Sequence, residues 1–226
     1  MKINEDIKLI INRIKIDESW MGKSQQLLHH LTRKMALQCS SVMDVGKSSR
    51  DCWDLFPKGK IISADINQFD GYPDIIIDIC DSKTFPDKPF DGIICHSILE
   101  HTYAPFSAVR NMYDHLTDNG IFLGFVPFLM QYHAPANLKF QDFFRFSRDG
   151  IAYLFREFDE VTLYPVRGKM SSVVSLLYPI KRFLSKNQVE YLSNYIDRLF
   201  SGKSLQTTGY IIYAVKNTAL IRDWRS

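Results

Sequence analysis

Hydrophobic and polar residues change rhythm along the chain. Ile7, Ile10, Ile11 and Ile14 recur at helical spacing, and past a break at Trp20 and Gly22 a second helical pattern groups Leu27, Leu28, Leu31 and Met35. From residue 41 the period shortens. SVMDVG, KIISADI, PDIIIDI, FDGIICHS and GIFLGFVPF are short, rich in Ile, Val and Phe, and each ends at small or polar residues, as buried strands do. Between the fourth and fifth, the stretch from Ala104 to Leu116 reads as a helix, with Phe106, Val109, Met112 and Tyr113 on one face and Asp118-Asn119-Gly120 as its stop. Strands alternating with helices predict a mainly parallel α/β sheet. Beyond Pro127 an irregular segment leads to RDGIAYLFREF as a helix, EVTLYPV as a strand, a helical insertion, and TGYIIYAVK as the last strand. No linker or repeat divides the 226 residues, which read as a single domain 1–226: N-terminal helices 1–39, a core 40–166, the insertion 167–205, and the last strand and tail 206–226.

Composition narrows the class. With 46% hydrophobic and 23% charged residues, disordered, collagen-like and disulfide-scaffold proteins are excluded. Apolar runs such as Ile121 to Leu129 fall far short of the roughly 20 residues that span a bilayer, and MKINEDIKLI is acidic where a signal peptide is basic. A cytoplasmic protein is expected, with the inner face of the membrane as the alternative. Cys39, Cys52, Cys80 and Cys95 form no CxxC pair and read as buried thiols, so no metal site is expected. The net charge of +3 does not point to nucleic acid, but it hides an asymmetry. Residues 1–166 carry 18 Lys+Arg against 22 Asp+Glu, and residues 167–226 carry 10 against 3. Within 167–203, Val173, Leu176, Leu177, Ile180 and Leu184 follow one helix and Val189, Leu192, Ile196 and Leu199 a second. Such basic, striped helices suit peripheral contact with an anionic membrane, or the core and homodimer contacts that apolar stripes more often make.

In an open parallel sheet, ligands bind beyond the carboxyl ends of the strands, near the point where strand order reverses. The first such end carries Asp44-Val45-Gly46-Lys47-Ser48-Ser49. Gly46 permits close approach of a ligand, and Ser48 offers donors at a helix start. Asp44 suits a ligand, or equally the hydrogen bonding of its own loop. Asp65 ends the second strand, about 20 residues on, where an acid can accept both hydroxyls of a ribose. Asp78 ends the third and can accept from an exocyclic amine or cap a loop. The fourth ends in Cys95-His96-Ser97-Ile98-Leu99-Glu100-His101. A nicotinamide-dependent oxidoreductase is disfavoured, because GxGxxG is missing.

In order and spacing, DVGxSS, ADI, PDIIIDI, FPDKPFDGIICHSILEH and LTDNGIFLGFVPF resemble the class I S-adenosylmethionine-dependent methyltransferase family over roughly residues 40–165. The run Val126-Pro127-Phe128, Tyr132-His133, Pro135 and Asp142-Phe143-Phe144-Arg145-Phe146-Ser147 is similar to a subgroup associated with bacterial surface-polysaccharide synthesis. The resemblance implies a Rossmann-like sheet of seven strands, the last antiparallel, flanked by helices. It implies S-adenosyl-L-methionine as cofactor, with Asp44 and Gly46 at the methionine end, Asp65 on the ribose, Asp78 near the adenine amine, and His96 bordering mainly through its backbone; Ser48 is a further expected cofactor contact. Glu100 and His101 match the family's acid–His pair, or order a helix start. The implied reaction is methyl transfer to a hydroxyl of a small molecule or glycan, with a cofactor-binding or inactive module as the alternative. His133 is the expected general base, since histidine takes a proton most readily near neutral pH, and His101 is its rival. Tyr132, Asp142 and Arg145 are expected to arrange the acceptor, unless Asp142 and Arg145 pair to order the loop. Two features depart from the family: the glycine loop has one glycine in place of three, and His133 and Asp142 lie farther apart than in HxxPxD.

Overall fold

The computed structural model describes residues 5–134, 140–176, 188, 191, 195–197 and 206–217. Its strands are β1 (Lys15–Ile16), β2 (Val42–Val45), β3 (Ile61–Asp65), β4 (Ile75–Ile76), β5 (Phe90–His96), β6 (Leu116–Pro127), β7 (Glu160–Pro165) and β8 (Gly209–Val215). They form one sheet in the order β1-β7-β8-β6-β5-β2-β3-β4. Strands β2 to β6 run parallel to their neighbours in that set. The last strand, β8, is antiparallel to both β6 and β7, as expected. The sheet has eight strands where the sequence predicts seven. Lys15 and Ile16 lie alongside Thr162 and Leu163, adding an edge strand too short to leave a hydrophobic period.

Alternation along the strands sends neighbouring side chains to opposite faces. Ile94, Leu123 and Ile211 meet Leu27, Leu31 and Met35 of α2 (Ser24–Gln38) on one side. Ile93, Phe122 and Ile212 belong to the core on the other side, with Val109 and Met112 of α3 (Pro105–Asp114) and Ile151 and Leu154 of α4 (Arg148–Leu154). Being covered on both faces, the strands read as continuous apolar runs. Phe106, expected on the buried face of α3, is 51% exposed and meets Tyr153 of α4 at 5.8 Å between ring centroids. Asp118-Asn119-Gly120, expected as a helix stop, lies inside β6. There the register steps from Phe90 opposite Leu116 to Gly92 opposite Ile121, and Asn119 adopts φ 62°.

At the N-terminus, α1 (Glu5–Asn12) contains Ile7, Ile10 and Ile11, while Ile14 follows it and packs on the core. The insertion opens with α5 (Lys169–Leu176), on which Val173 is 44% exposed. The Asp197 carboxylate accepts from the backbone N–H groups of Gly168, Met170 and Ser171 at 3.0–3.1 Å. Of the expected stripes, Leu177, Ile180, Leu184, Val189, Leu192 and Leu199 lie outside the described residues, as does Pro135. Among the described residues no helix is long and apolar enough to cross a membrane. All four cysteines are free. Cys39 and Cys95 are buried, but Cys52 and Cys80 are only half-buried, short of the expectation.

Candidate active site

Strand order reverses between β2 and β5, because the chain leaves β2 for β3 on one side and returns through β5 on the other. A crevice beyond their carboxyl ends is where such a sheet takes a ligand. Gly46, just past β2, has φ +69°, a conformation that strains any side chain, and a Cβ there would stand 2.6 Å from Ile98 Cδ1, the tip of a side chain that would have to shift. Asp44 is fully buried. Its Oδ1 accepts from Ser48 N and Oγ at 2.9 Å each, and its Oδ2 accepts from Ser49 N and Oγ and from Trp53 Nε1 at 3.1, 2.8 and 2.7 Å. Five donors thus fold the loop around one carboxylate. Ser48 Oγ also accepts from His96 N at 3.1 Å, tying the end of β2 to the end of β5. The His96 Nδ1 is buried with no hydrogen-bond partner, and burial lowers the imidazole to about 4, which keeps it neutral near pH 7.

The next two acids are less occupied. Asp65 Oδ1 accepts from Asn67 N at 3.0 Å and Oδ2 from the Tyr72 hydroxyl at 2.9 Å, so each oxygen keeps lone-pair capacity for a further donor. Asp78 accepts from Cys80 N at 2.9 Å and from the Tyr103 hydroxyl at 2.8 Å. That bond to a carboxylate raises the Tyr103 phenol to about 12. Lys47 Nζ lies 5.0 Å from the centroid of Trp53 and 5.7 Å from that of Tyr72, placing a cation against the aromatic wall between the two loops. Trp53, Tyr72 and Tyr103 escape a reading by motif. Their importance lies in which acid each reaches: Trp53 and Tyr72 lie nine and seven residues beyond Asp44 and Asp65, whereas Tyr103 is 25 residues from Asp78.

The second group of polar residues comes from the turn Leu99–His101 after β5 and the loop after β6. Glu100 is fully buried, neither carboxylate oxygen has a hydrogen-bond partner, and burial raises its pKa to about 7. Its Oε1 lies 3.8 Å from His101 Nε2 and 3.7 Å from His133 Nε2. The two imidazoles meet edge to face with centroids 4.9 Å apart. Burial lowers the His101 pKa. Arg145 forks onto Asp142, through Nη1 to Oδ1 and through Nη2 to Oδ2 at 2.6 Å, and it also donates to the carbonyls of Met130, Gln131 and Phe144. The guanidinium holds Asp142 down at about 2. Asp142 Oδ2 also accepts from His133 N at 2.9 Å, so the ion pair organises the loop that carries His133. Tyr132 stands apart, 67% exposed. The structure therefore joins Asp44, Gly46, Ser48 and His96 in one cluster and Glu100, His101, His133, Asp142 and Arg145 in another, with Asp65 and Asp78 at adjacent strand ends.

Sheet order and strand-end loops together define the Rossmann-like fold of class I methyltransferases. A family model described as a methyltransferase domain matches residues 52–124. Among solved structures, the fold is shared with a chain of the Haloferax volcanii complex between the Trm112 methyltransferase activator and a protein assigned as a methyltransferase. The two are 14% identical with a TM-score of 0.50, over 87% of this chain and 93% of that one. An S-adenosylmethionine-dependent methyltransferase from Archaeoglobus fulgidus is 16% identical over 84% of this chain and 94% of its own, with a TM-score of 0.48. The N-methyltransferase NodS from Bradyrhizobium japonicum, solved with S-adenosyl-L-homocysteine, is 10% identical over 95% and 97%, with a TM-score of 0.45. At these identities the likeness is one of fold. No curated protein matches the chain.

Proposed function

We propose that this protein transfers the methyl group of S-adenosylmethionine to a hydroxyl of a sugar, in a surface glycan or its precursor, assembled in the cytoplasm or at the inner face of the membrane. The observation that carries the reading is Asp65, an acid with unused acceptor capacity at the carboxyl end of β3, beside the Gly46 turn at the reversal of strand order. The methyltransferase-domain match over 52–124 supports the same cofactor. Asp65 holds the ribose hydroxyls, Asp78 faces the adenine amine, and Gly46 lets the methionine end approach the backbone. Asp44 acts through the loop, as a positioning residue for Ser48, and His96 borders the pocket with a neutral ring. S-adenosylmethionine supplies a methyl group already activated on a sulfonium.

The acceptor lies against the loop after β6, with Tyr132 beside it and the Asp142–Arg145 pair shaping its pocket. His133 Nδ1 has two acceptors, Gln131 O and Asp142 Oδ2, at 3.2 and 3.3 Å, and one donor, Arg145 Nη2, farther off at 3.5 Å; the two nearer acceptors favour the proton on Nδ1 and the lone pair on Nε2. His133 takes the hydroxyl proton at Nε2 while the acceptor oxygen bonds the methyl carbon and the carbon–sulfur bond breaks. A positioned base contributes about 100-fold to 10,000-fold, so His133→Ala should lower turnover by that factor with cofactor affinity near wild type. Full turnover in His133→Ala together with its loss in His101→Ala would move the role to His101. Mass spectrometry of the surface glycan with and without the protein identifies the acceptor by the loss of one methyl group. An unchanged glycan would reject the sugar assignment.

A further inference from the structure

We propose that Glu100, His101 and His133 form a binding site for one divalent first-row transition cation, such as Zn2+ or Mn2+, at the acceptor side of the pocket. One ligand atom from each of the three side chains falls within 4.8 Å of the other two. Glu100 Oε1 lies 3.8 and 3.7 Å from the two Nε2 atoms, too far for hydrogen bonds. Atoms held about 2.0–2.2 Å from one ion lie roughly 3.0–3.6 Å apart, so the two Glu100 distances need to close by only a few tenths of an ångström, while the imidazole pair, within 4.8 Å, would draw together on binding.

The outer contacts of both imidazoles point the same way. His101 Nδ1 sits 2.5 Å from Gln141 O, and His133 Nδ1 lies closest to Gln131 O and Asp142 Oδ2. The carbonyl holds the proton on His101 Nδ1, and the two acceptors outweigh the more distant Arg145 Nη2, at 3.5 Å, in favouring it on His133 Nδ1; the Nε2 lone pairs then face inward, as in metal-ligating histidines. Glu100 supplies the independent sign. Its side chain is fully buried with both oxygens unpartnered, a costly arrangement that a cation would relieve. Arg145 attracts this carboxylate but does not hydrogen-bond it, since its guanidinium is forked onto Asp142. Two imidazoles with one carboxylate favour a first-row transition ion over Mg2+, and three protein ligands leave a position for the acceptor oxygen. The cation site deepens the acceptor side of the function proposed above and rests on that reading only for what the cation would serve. With the cation bound, His133 would orient the acceptor as a ligand holder in place of taking its proton.

Cation binding is read without cofactor or acceptor, so it stands or falls separately from methyl transfer. Tag-free, chelator-stripped protein is titrated with Zn2+, Mn2+ and Mg2+ by calorimetry, and its metal content is measured after dialysis. One Zn2+ or Mn2+ per chain is expected, Mg2+ binding more weakly, with affinity falling at least 10-fold in His101→Ala, His133→Ala and Glu100→Gln. Wild-type protein is also loaded with Co2+, which guards against variants that fail to fold. Visible absorption of imidazole-bound Co2+ that Zn2+ displaces is expected. A wild-type chain that retains none of these cations, or folded variants that all bind as wild type does, overturns the site.

Discussion

A carboxylate serves a ligand to the extent that its lone pairs are unclaimed, and the strand-end acids differ in that respect. Asp44 is surrounded by five donors and Asp65 by two. Replacing Asp65 by Ala should therefore weaken S-adenosylmethionine by about 1.5–3 kcal/mol, roughly 10-fold to 150-fold by calorimetry, with the fold intact. An unchanged affinity would remove Asp65 from the site. Asp74 Oδ2 accepts from Ser63 N and Oγ at 2.7 Å each, and these bonds lower its pKa. A depressed carboxylate adds stability above its unfolded value of 3.8 and loses it as the pH falls through the folded value. Ser63→Ala should accordingly cost stability above that pH and leave a shallower acid dependence below it. Urea unfolding across the range reads this, and parallel curves for the two proteins would refute the linkage.

At the scale of elements, the strands buried on both faces are legible as apolar runs, and so is α2, whose buried residues keep helical spacing. Segments that depart from a period are not. PDIIIDI predicts a full strand, yet only Ile75 and Ile76 pair with β3, at the edge of the sheet, and Ile76 points largely to solvent. The first residues of β6 are hidden for a related reason, because a bulge at Asp118-Asn119-Gly120 interrupts the alternation. The start of α4 carries a cap that a sequence can show and a structure can weigh. Ser147 Oγ accepts from Gly150 N at 3.2 Å, at the junction between the loop bearing Asp142 and Arg145 and a helix that buries Ile151 and Leu154. Ser147→Ala should cost about 1 kcal/mol in denaturant unfolding, and Ser147→Asp should restore most of it. Equal stability of all three would show that the helix is held by packing alone.

For the whole molecule, sheet order decides what a local pattern leaves open. The reversal between β2 and β5 converts Asp44, Gly46 and His96 from isolated strand ends into two sides of one crevice, and period and spacing place those ends in advance. Their partners stay hidden, since Tyr103 reaches Asp78 across 25 positions and His133 meets Glu100 from a separate loop. If that crevice is the cofactor site, occupancy must stabilise the entire fold by linkage, whatever the acceptor turns out to be. At about 100 times the dissociation constant, a ligand that binds only the native state adds about 2.7 kcal/mol. For a domain of this size that corresponds to a rise in Tm of roughly 5–10 °C. S-adenosylmethionine should produce this shift in a thermal scan, and Asp65→Ala should show a smaller one at the same concentration. A nicotinamide dinucleotide should produce none, because the loop after β2 lacks the glycines that admit its pyrophosphate. No shift with S-adenosylmethionine, or an equal one with the dinucleotide, would detach the crevice from methyl transfer and leave only the fold in common.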